Sequence, residues 1–374
     1  MIMVLNNNQQ AFFALLRAGL WGTAVRLLPY GAIDFKMLYA LANEQSVVGI
    51  VAEGIEHIAD MKPAKKDVIQ FIGDALHLEQ VNQEMSCFIG DLFGKMRETG
   101  ISAILVKGQG VGQCYRRPLW RTCGDVDLLL DEEGFDKAYA FLAPLASNVD
   151  REESYSRHIG MDIKDWIVEL HGTLRSGLSS RMDKVIDEAQ FDCFTGGNIR
   201  IWNYDGADVS LPGVDNDVLF IFTHFLKHFY KGGVGLRQIC DWCRLLWTYR
   251  SEIDVKLLES RLARMGLMSE WKAFGAFTVG YLGMPPEAMP LYSTQNKWGR
   301  KARRICAFVL EVGNFGQNRD MSYYGRYPFL VRKFISMTWR IADLFRHARI
   351  FPLDSLRFLP KIVYDGVRST MKGE

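Results

Sequence analysis

The chain has 374 residues, which is long enough for two or three domains and a sizeable hydrophobic core. Its formal net charge of +2 and its 24% of charged residues are ordinary for a globular protein, so composition gives no sign of a basic nucleic-acid-binding protein. The seven cysteines are scattered, and the first residues form no signal-peptide core. Because no apolar run approaches the roughly 20 residues that span a bilayer, we expect a cytoplasmic protein.

An N-terminal helical segment is predicted for residues 1–96. Apolar residues recur at helical spacing within residues 11–59, and a longer helical pattern covers residues 68–96. Asp34 is placed to cap one of the earlier helices. Gly100 ends the pattern, and the first predicted strand follows it.

The next segment, residues 97–212, alternates short strands with helices. Its predicted strands span residues 101–106, 125–130, 158–163 and 165–171, with a further strand pair inside 199–211. Its predicted helices lie near residues 110–116, 133–145 and 181–190. This alternation predicts a segment that combines a sheet with helices.

A pair of acids stands at the start of the second of these strands. Side chains two residues apart on a strand leave the same face, so Asp125 and Asp127 point the same way. Two carboxylates about 7 Å apart repel each other unless a cation lies between them, and oxygen-only ligands favour Mg²⁺ or Mn²⁺. The alternative is a pair of solvated acids, but the apolar residues at the alternate positions favour a strand packed on a core.

The turn before this strand suits a phosphate group. Residues 108–112 form a glycine-rich strand-to-helix turn that would expose backbone N–H groups, and Lys107 adds a mobile cation. A dinucleotide-binding fingerprint is the rival interpretation, but the third glycine falls at position 112 and not at 113. Arg121 lies in a basic loop next to the acid pair, which favours contact with phosphate over a solvated loop.

These residues resemble a known family, the uncharacterised bacterial nucleotidyltransferases of the DNA polymerase β-like superfamily, whose signature is LKG…Y…R…GDxDLLV. The matching residues are Lys107, Gly108, Tyr115, Pro118, Arg121, Gly124, Asp125 and Asp127. Many members of the superfamily carry Gly-Ser where this chain has Lys-Gly. The resemblance implies an α+β nucleotidyltransferase fold, in which a mixed β-sheet with flanking helices is preceded and followed by α-helical segments.

The superfamily pattern also requires a third acid on a later strand. Glu169, inside the apolar run 166–171, is our candidate, because it shares a face with His171 and interrupts an otherwise apolar strand. Asp162 and Asp165 compete for this role but lie in or beside a predicted hairpin turn. Glu169 could also be a solvent-facing strand residue, and His171 could orient an acid, contact phosphate or make a structural hydrogen bond.

The resemblance implies transfer of a nucleoside monophosphate from a nucleoside triphosphate to a hydroxyl group. Two Mg²⁺ ions, or Mn²⁺, would be held by the catalytic acids Asp125, Asp127 and Glu169. The residues implied to contact the nucleotide are Lys107, Gly108, Tyr115, Arg121 and His171.

The acceptor hydroxyl is expected on a small molecule, a sugar derivative or a protein. A basic groove lined with aromatic side chains, which would favour a nucleic acid, is not evident in the core segment. The alternative function is a catalytically weak or silent module that binds nucleotide and acts through regulation or assembly.

A C-terminal helical domain is predicted for residues 213–327, with a loop over its last residues, 314–327. His224 and His228, followed by Cys240 and Cys243, have a spacing that resembles a zinc site. Both pairs lie in apolar helices, where buried core histidines and cysteines are common, so the pattern favours packing.

The same stretch follows the family's pattern of two histidines, an arginine and an aspartate. Its last two members are Arg237 and Asp241, which lie one helical turn apart. This spacing predicts a structural ion pair between them, with no metal required.

Residues 328–374 are predicted to form a basic amphipathic helical tail. Basic residues outnumber acidic residues there and alternate with apolar residues. This pattern is typical of helices that contact a membrane surface or a partner protein, although an ordinary solvated helix face also explains it.

Overall fold

The computed structural model describes residues 4–150, 157–314 and 327–371. The helices are α1 (Asn7–Trp21), α2 (Phe35–Glu44), α3 (Val48–Glu56), α4 (Lys65–Glu98), α5 (Gly108–Gly112), α6 (Glu132–Leu142), α7 (Ser180–Phe194), α8 (Val214–Lys231), α9 (Leu236–Thr248), α10 (Val255–Met265), α11 (Met268–Leu282), α12 (Asn296–Val312), α13 (Phe329–Ile350) and α14 (Pro352–Met371). The strands are β1 (Ile104–Val106), β2 (Asp125–Leu129), β3 (Asn148–Val149), β4 (His158–Ile163), β5 (Trp166–His171), β6 (Ile199–Tyr204) and β7 (Ala207–Pro212).

Among the described residues, five strands form a mixed sheet in the order β1, β2, β5, β4, β3. The strands β2 and β5 run parallel, whereas the other neighbours are antiparallel. β6 and β7 form a separate hairpin that packs on α4 and β1. The α+β class with a mixed sheet and flanking helices is therefore confirmed.

One face of this sheet is entirely apolar and lies against helices. Val126 and Leu128 of β2 and Val168 and Leu170 of β5 are fully buried, packed with side chains of α4 and α6. Burying such a side chain stabilises the fold by about 1.5–3 kcal/mol. The alternate residues of both strands consequently point to the opposite face, where the acids lie.

The helical segments before and after the sheet share one hydrophobic core. Trp21 of α1 donates its indole N–H to the carbonyl oxygen of Leu282 at 2.6 Å, and the buried Gln45 donates to that of Val309 at 3.1 Å. This shared core holds the C-terminal helices over the sheet. The boundaries proposed at residues 96, 212 and 327 stay predictions.

Two details of the predicted elements are corrected. The first strand was predicted to begin at residue 101 but begins at Ile104, because Ile101 still donates its N–H to the carbonyl oxygen of Met96 at the end of α4. The helix predicted near 110–116 is the short α5. The cap predicted at Asp34 is confirmed, since its carboxylate accepts hydrogen bonds from the first turn of α2.

The C-terminal tail is helical where the structure describes it, and part of it joins the core. Phe351 and Phe358 are buried in the core that contains α8. Arg346, Arg357 and Lys361 each contact an acid of the chain itself, so part of the tail's positive charge is already paired. Contact with a membrane surface or a partner stays a prediction, and the predicted loop 314–327 lies mostly outside the described residues. No described helix is both long enough and apolar enough to cross a bilayer.

A buried carboxyl group lies where α8, α11 and α14 meet. Glu270 is 0% exposed and accepts a hydrogen bond from the hydroxyl group of Tyr230 at 2.9 Å. Burial, reinforced by Asp354, raises the pKa of Glu270 to about 8. The folded protein therefore keeps a proton on this group that the unfolded chain releases near its ordinary pKa.

We expect Glu270→Gln to remove part of the pH dependence of stability. Because the folded-state pKa is raised, the stability contributed by the protonated carboxyl group is fully present below about pH 4.5 and declines as pH rises to about 8. The variant should thus gain stability relative to the wild type between pH 5 and pH 8, by several kcal/mol at most. Urea unfolding at both pH values measures this gain. The exposed Glu259→Gln is the control, and an equal slope in all three proteins would contradict the assignment.

Candidate active site

A cavity of about 300 Å³ lies between the polar face of the sheet and helices α8 and α9. The lining residues from the sheet side are Lys107, Gly108, Arg121, Asp125, Asp127, His158, Glu169, His171, Thr173, Leu174, Arg175 and Ser176. The lining residues from the two helices are Phe220, Ile221, His224, Lys227, His228, Arg237, Gln238 and Asp241. Its volume suits a small ligand or part of a larger one.

The register of β2 against β5 brings the three candidate acids together. Asp127 lies opposite Glu169 in the parallel pair, and Asp125 is two residues earlier on the same face. One carboxylate oxygen of each residue lies within 4.8 Å of the others. Their donor set is oxygen only, which fits Mg²⁺ or Mn²⁺.

Asp127 is buried, and its carboxylate contacts one ammonium group and one imidazole. Its Oδ1 lies 2.5 Å from Nζ of Lys107 and 2.6 Å from Nε2 of His171. Burial alone would raise the pKa of Asp127, but Lys107 and His171 outweigh burial, so this pKa lies below its ordinary value. Asp125 has less compensation, and burial together with the neighbouring Asp127 raises its pKa.

The backbone of Lys107 is held in an unusual conformation. Its φ of +60° lies in the region that favours glycine, and Gly108 follows with a φ of +39°. A non-glycine residue held in a sparsely populated region costs about 1–3 kcal/mol, and such strain clusters at functional sites. The predicted phosphate turn needs one qualification. A Cβ on Gly110 would lie 2.8 Å from Cδ2 of Leu211, so close packing explains that glycine.

Two histidines contact Glu169. Nε2 of His158 lies 3.1 Å from its Oε2, and Nε2 of His171 lies 3.3 Å from the same oxygen. Burial raises the pKa of Glu169, but the bonds to the two imidazoles outweigh it and bring this pKa below its ordinary value. His158 was not found by sequence reasoning. A two-residue hairpin turn at residues 164–165 would have placed it opposite His171, as the sheet does.

Arg121 and Tyr115, both predicted to contact the nucleotide, are engaged with Asp241 of α9. Arg121 donates to Asp241 through Nε at 3.0 Å and Nη2 at 2.7 Å, and the hydroxyl group of Tyr115 donates to it at 2.8 Å. Arg121 lines the cavity, whereas Tyr115 is not among its lining residues. Tyr115 therefore positions Asp241, and its contact with a nucleotide stays a prediction.

The ion pair predicted between Arg237 and Asp241 is wrong. Asp241 faces Arg121 instead, and Arg237 donates Nη1 to the carbonyl oxygen of Thr122 at 2.9 Å. Helical spacing alone could not show that Asp241 points into the loop before β2.

The residues with zinc-like spacing do not converge on one point. Among the described residues, clusters of three or more potential ligands do not include His224, His228, Cys240 or Cys243. The Nε2 atoms of His224 and His228 lie 3.2 Å apart. Burial and, to a smaller extent, the positive charge of Lys227 lower the pKa of His228 to about 3. Burial raises the pKa of the Cys243 thiol to about 12. The pattern reflects packing against the core and the cavity wall.

Several buried polar atoms of the cavity wall have no hydrogen-bond partner in the described part of the chain. They are both amide atoms of Gln238, Nη1 of Arg121 and Nε of Arg237. Gln238 is only 5% exposed, so its unpaired amide costs stability. Sequence reasoning missed Gln238, because nothing in the pattern of α9 distinguishes this residue from its neighbours.

One comparison with known proteins identifies a family. The model of a family described as uncharacterised nucleotidyltransferase matches residues 31–273. The match includes the sheet, the acid cluster and helices α8 and α9. Neither a curated protein nor a solved structure matches the chain.

We expect Asp241→Asn to destabilise the protein by about 3–5 kcal/mol, because it leaves the guanidinium group of Arg121 buried without its counter-charge. Urea unfolding followed by circular dichroism measures the loss. Glu56→Gln is the matched control, since it removes the acid from an exposed ion pair with Arg117 and should cost no more than about 1 kcal/mol. Equal effects of the two substitutions would show that the buried pair does not anchor α9.

Proposed function

The chain belongs to a family of uncharacterised nucleotidyltransferases, and from this premise we propose that it is a magnesium-dependent nucleotidyltransferase. It would transfer a nucleoside monophosphate from a nucleoside triphosphate to a hydroxyl group. The observation that carries the proposal is the cluster of Asp125, Asp127 and Glu169 in the wall of a cavity that also contains cationic side chains.

The proposed reaction is an in-line displacement at the α-phosphorus. The acceptor oxygen forms a bond to this phosphorus, the bond to the β-phosphate oxygen breaks, and pyrophosphate leaves with the electron pair. The hydroxyl proton passes to the carboxylate cluster. Positioning and charge stabilisation supply most of the catalysis in phosphoryl transfer, so the cavity wall matters as much as the acids.

The three carboxylates fit magnesium because oxygen donors from two adjoining strands lie within 4.8 Å of one another. When bound, magnesium would offset the charge of the phosphates and favour deprotonation of the acceptor hydroxyl. Lys107, Lys227 and Arg237 line the same cavity and are the cations proposed to hold phosphate oxygens. Arg121 joins them through its unpartnered Nη1.

A small molecule, a sugar derivative or a protein is the proposed acceptor, in preference to a nucleic acid. A net charge of +2 over 374 residues gives little attraction for a polynucleotide. The cavity has a mixed wall of acids, bases and apolar residues such as Phe220 and Ile221.

One observation favours the second candidate, a nucleotide-binding module without catalysis. The buried carboxylate of Asp127 is already balanced by Lys107 and His171. A site whose charge is compensated by its own side chains can persist without metal. Turnover of nucleoside triphosphate in the presence of an acceptor separates the enzyme from the module.

We expect wild-type protein to bind at least one nucleoside triphosphate in a magnesium-dependent manner. The double substitution Asp125→Asn and Asp127→Asn removes the charge of two metal ligands and should abolish this binding, and because Lys107 loses its buried counter-charge the variant should also lose several kcal/mol of stability. Isothermal titration with each of the four triphosphates, with magnesium and then with EDTA, measures it. Equal affinity of MgATP for wild type and variant would refute the metal assignment.

We expect Gln238→Leu to increase stability and weaken nucleotide binding. The amide offers a donor and an acceptor side by side, the pattern that pairs with adenine, so we propose that it contacts the base. Removing two unpaired buried atoms should stabilise the free protein by about 1 kcal/mol or more. The affinity for MgATP should fall about tenfold, in line with the loss of a base contact worth about 1–3 kcal/mol.

Thermal unfolding and titration calorimetry on the same preparations test both parts. Gln190→Leu on α7 is the control, because Gln190 does not line the cavity and its amide donates to the carbonyl oxygen of Gly172. That variant should keep its nucleotide affinity, and because it loses the bond to Gly172 while removing one unpaired buried oxygen, its stability should rise less than that of the Gln238 variant. If the Gln238 variant bound all four triphosphates as tightly as the wild type, Gln238 would not contact the base.

A further inference from the structure

A second group of potential metal ligands lies beside the acid cluster and contains nitrogen. His158 of β4, Glu169 and His171 of β5 each offer a ligand atom within 4.8 Å of the other two. The antiparallel register places the two histidines opposite each other, with their ring centroids 4.8 Å apart. Both Nε2 atoms converge on Oε2 of Glu169.

We propose that His158, Glu169 and His171 form a second site, adjoining the acid cluster, for a divalent transition-metal ion of the series from Mn²⁺ to Zn²⁺. The oxygen-only cluster suits Mg²⁺, whereas this set of two imidazoles and one carboxylate is a donor set that binds transition metals. The two sites would share Glu169. The protein would therefore discriminate between two kinds of cation at adjoining positions.

The distances fit an ion between the three ligand atoms. Nε2 of His158 lies 3.1 Å and Nε2 of His171 lies 3.3 Å from Oε2 of Glu169. With metal–nitrogen and metal–oxygen distances of about 2.1–2.2 Å, the two nitrogen–metal–oxygen angles would be about 90–105°. These angles lie between octahedral and tetrahedral values, so each pair of imidazole nitrogen and carboxylate oxygen matches the coordination angle of a metal ion. A hairpin also holds its ligands more rigidly than a loop does.

The local charge favours a divalent cation. Three carboxylates, those of Asp125, Asp127 and Glu169, lie beside one ammonium group, that of Lys107, so acidic side chains outnumber the cation next to the two imidazoles. Each imidazole binds metal through an unprotonated Nε2, so the proton must sit on Nδ1. The ion would replace the present contacts of both Nε2 atoms with Glu169 and that of His171 Nε2 with Asp127, and its charge would take over from His171 in compensating the Asp127 carboxylate.

Metal binding by the two histidines goes beyond the proposed function, because it can be measured in the absence of nucleotide. Mn²⁺ serves as the probe, since electron spin echo envelope modulation detects coupling of its unpaired electrons to a coordinated ¹⁴N nucleus. The 374-residue chain is loaded with Mn²⁺ alone and in the presence of saturating Mg²⁺. We expect nitrogen coupling in both samples, because Mg²⁺ would fill the oxygen site first.

Three substitutions complete the test. His158→Gln should remove its share of the nitrogen coupling and weaken Mn²⁺ binding by about 10–100-fold. His77→Gln, the same change at an exposed position of α4, should leave both unchanged. Asp125→Asn should keep the nitrogen coupling but lose magnesium-dependent nucleotide binding, which separates failure of this inference from failure of the proposed function.

The wild-type sample decides the question even if a variant misfolds. Absence of nitrogen coupling in Mn²⁺-loaded wild type would overturn the site. The same would follow if folded His158→Gln kept the wild-type coupling and affinity. Nitrogen coupling without any nucleotide binding would support the site and count against the proposed transferase.

Discussion

The carboxylate of Asp127 must keep its charge while almost fully buried, and the arrangement of the site follows from that need. Asp127 is only 1% exposed, so its carboxylate has lost most of its favourable hydration free energy. Contacts within the protein must supply several kcal/mol to keep the group charged. Lys107 and His171 supply it on one oxygen. Lys107 follows β1 and His171 ends β5, and these are the two strands next to β2. The order of the strands therefore determines which side chains compensate the charge of Asp127.

The strained backbone of Lys107 has a physical explanation in this context. Lys107 directly follows β1 and adopts a φ of +60°, and Gly108 continues the turn. In this conformation the ammonium group of Lys107 lies against the carboxylate of Asp127. The Lys-Gly turn thus places a cation against the buried acid, and contact of the same turn with phosphate stays a proposal.

The wall formed by α8 and α9 depends on contacts that are distant in sequence. Arg244 of α9 is buried and donates to the carbonyl oxygens of Cys114 and Leu20, while Asp241 holds Arg121 and Tyr115. These bonds tie the C-terminal helices to the N-terminal helices and to the loop before β2. The cavity is consequently bounded by two rigid elements, which favours precise placement of a ligand.

Local periodicity was sufficient to predict β2, β5 and the shared face of Asp125 and Asp127, because strand alternation is set by the backbone. Glu169 followed from an apolar run interrupted by one acid. The partner of Asp241 could not be predicted, because helical spacing gives neighbours on one helix and says nothing about a facing loop. Gln238 needed the cavity itself, since only the fold shows that its amide is buried without a partner.

The polar atoms left unpaired in the cavity wall count against a purely structural role. A protein whose acids were balanced only for stability would gain by replacing Gln238 with an apolar residue, because an unpaired buried amide costs about 1–3 kcal/mol. The same cavity retains Nη1 of Arg121 and Nε of Arg237 without partners. Donors held in place before a ligand arrives reduce the reorganisation that binding requires. Charge compensation at Asp127 and unpaired donors on α9 therefore describe one cavity, in which the chain itself balances the acid side and the helical side offers its unpaired groups to the proposed nucleotide.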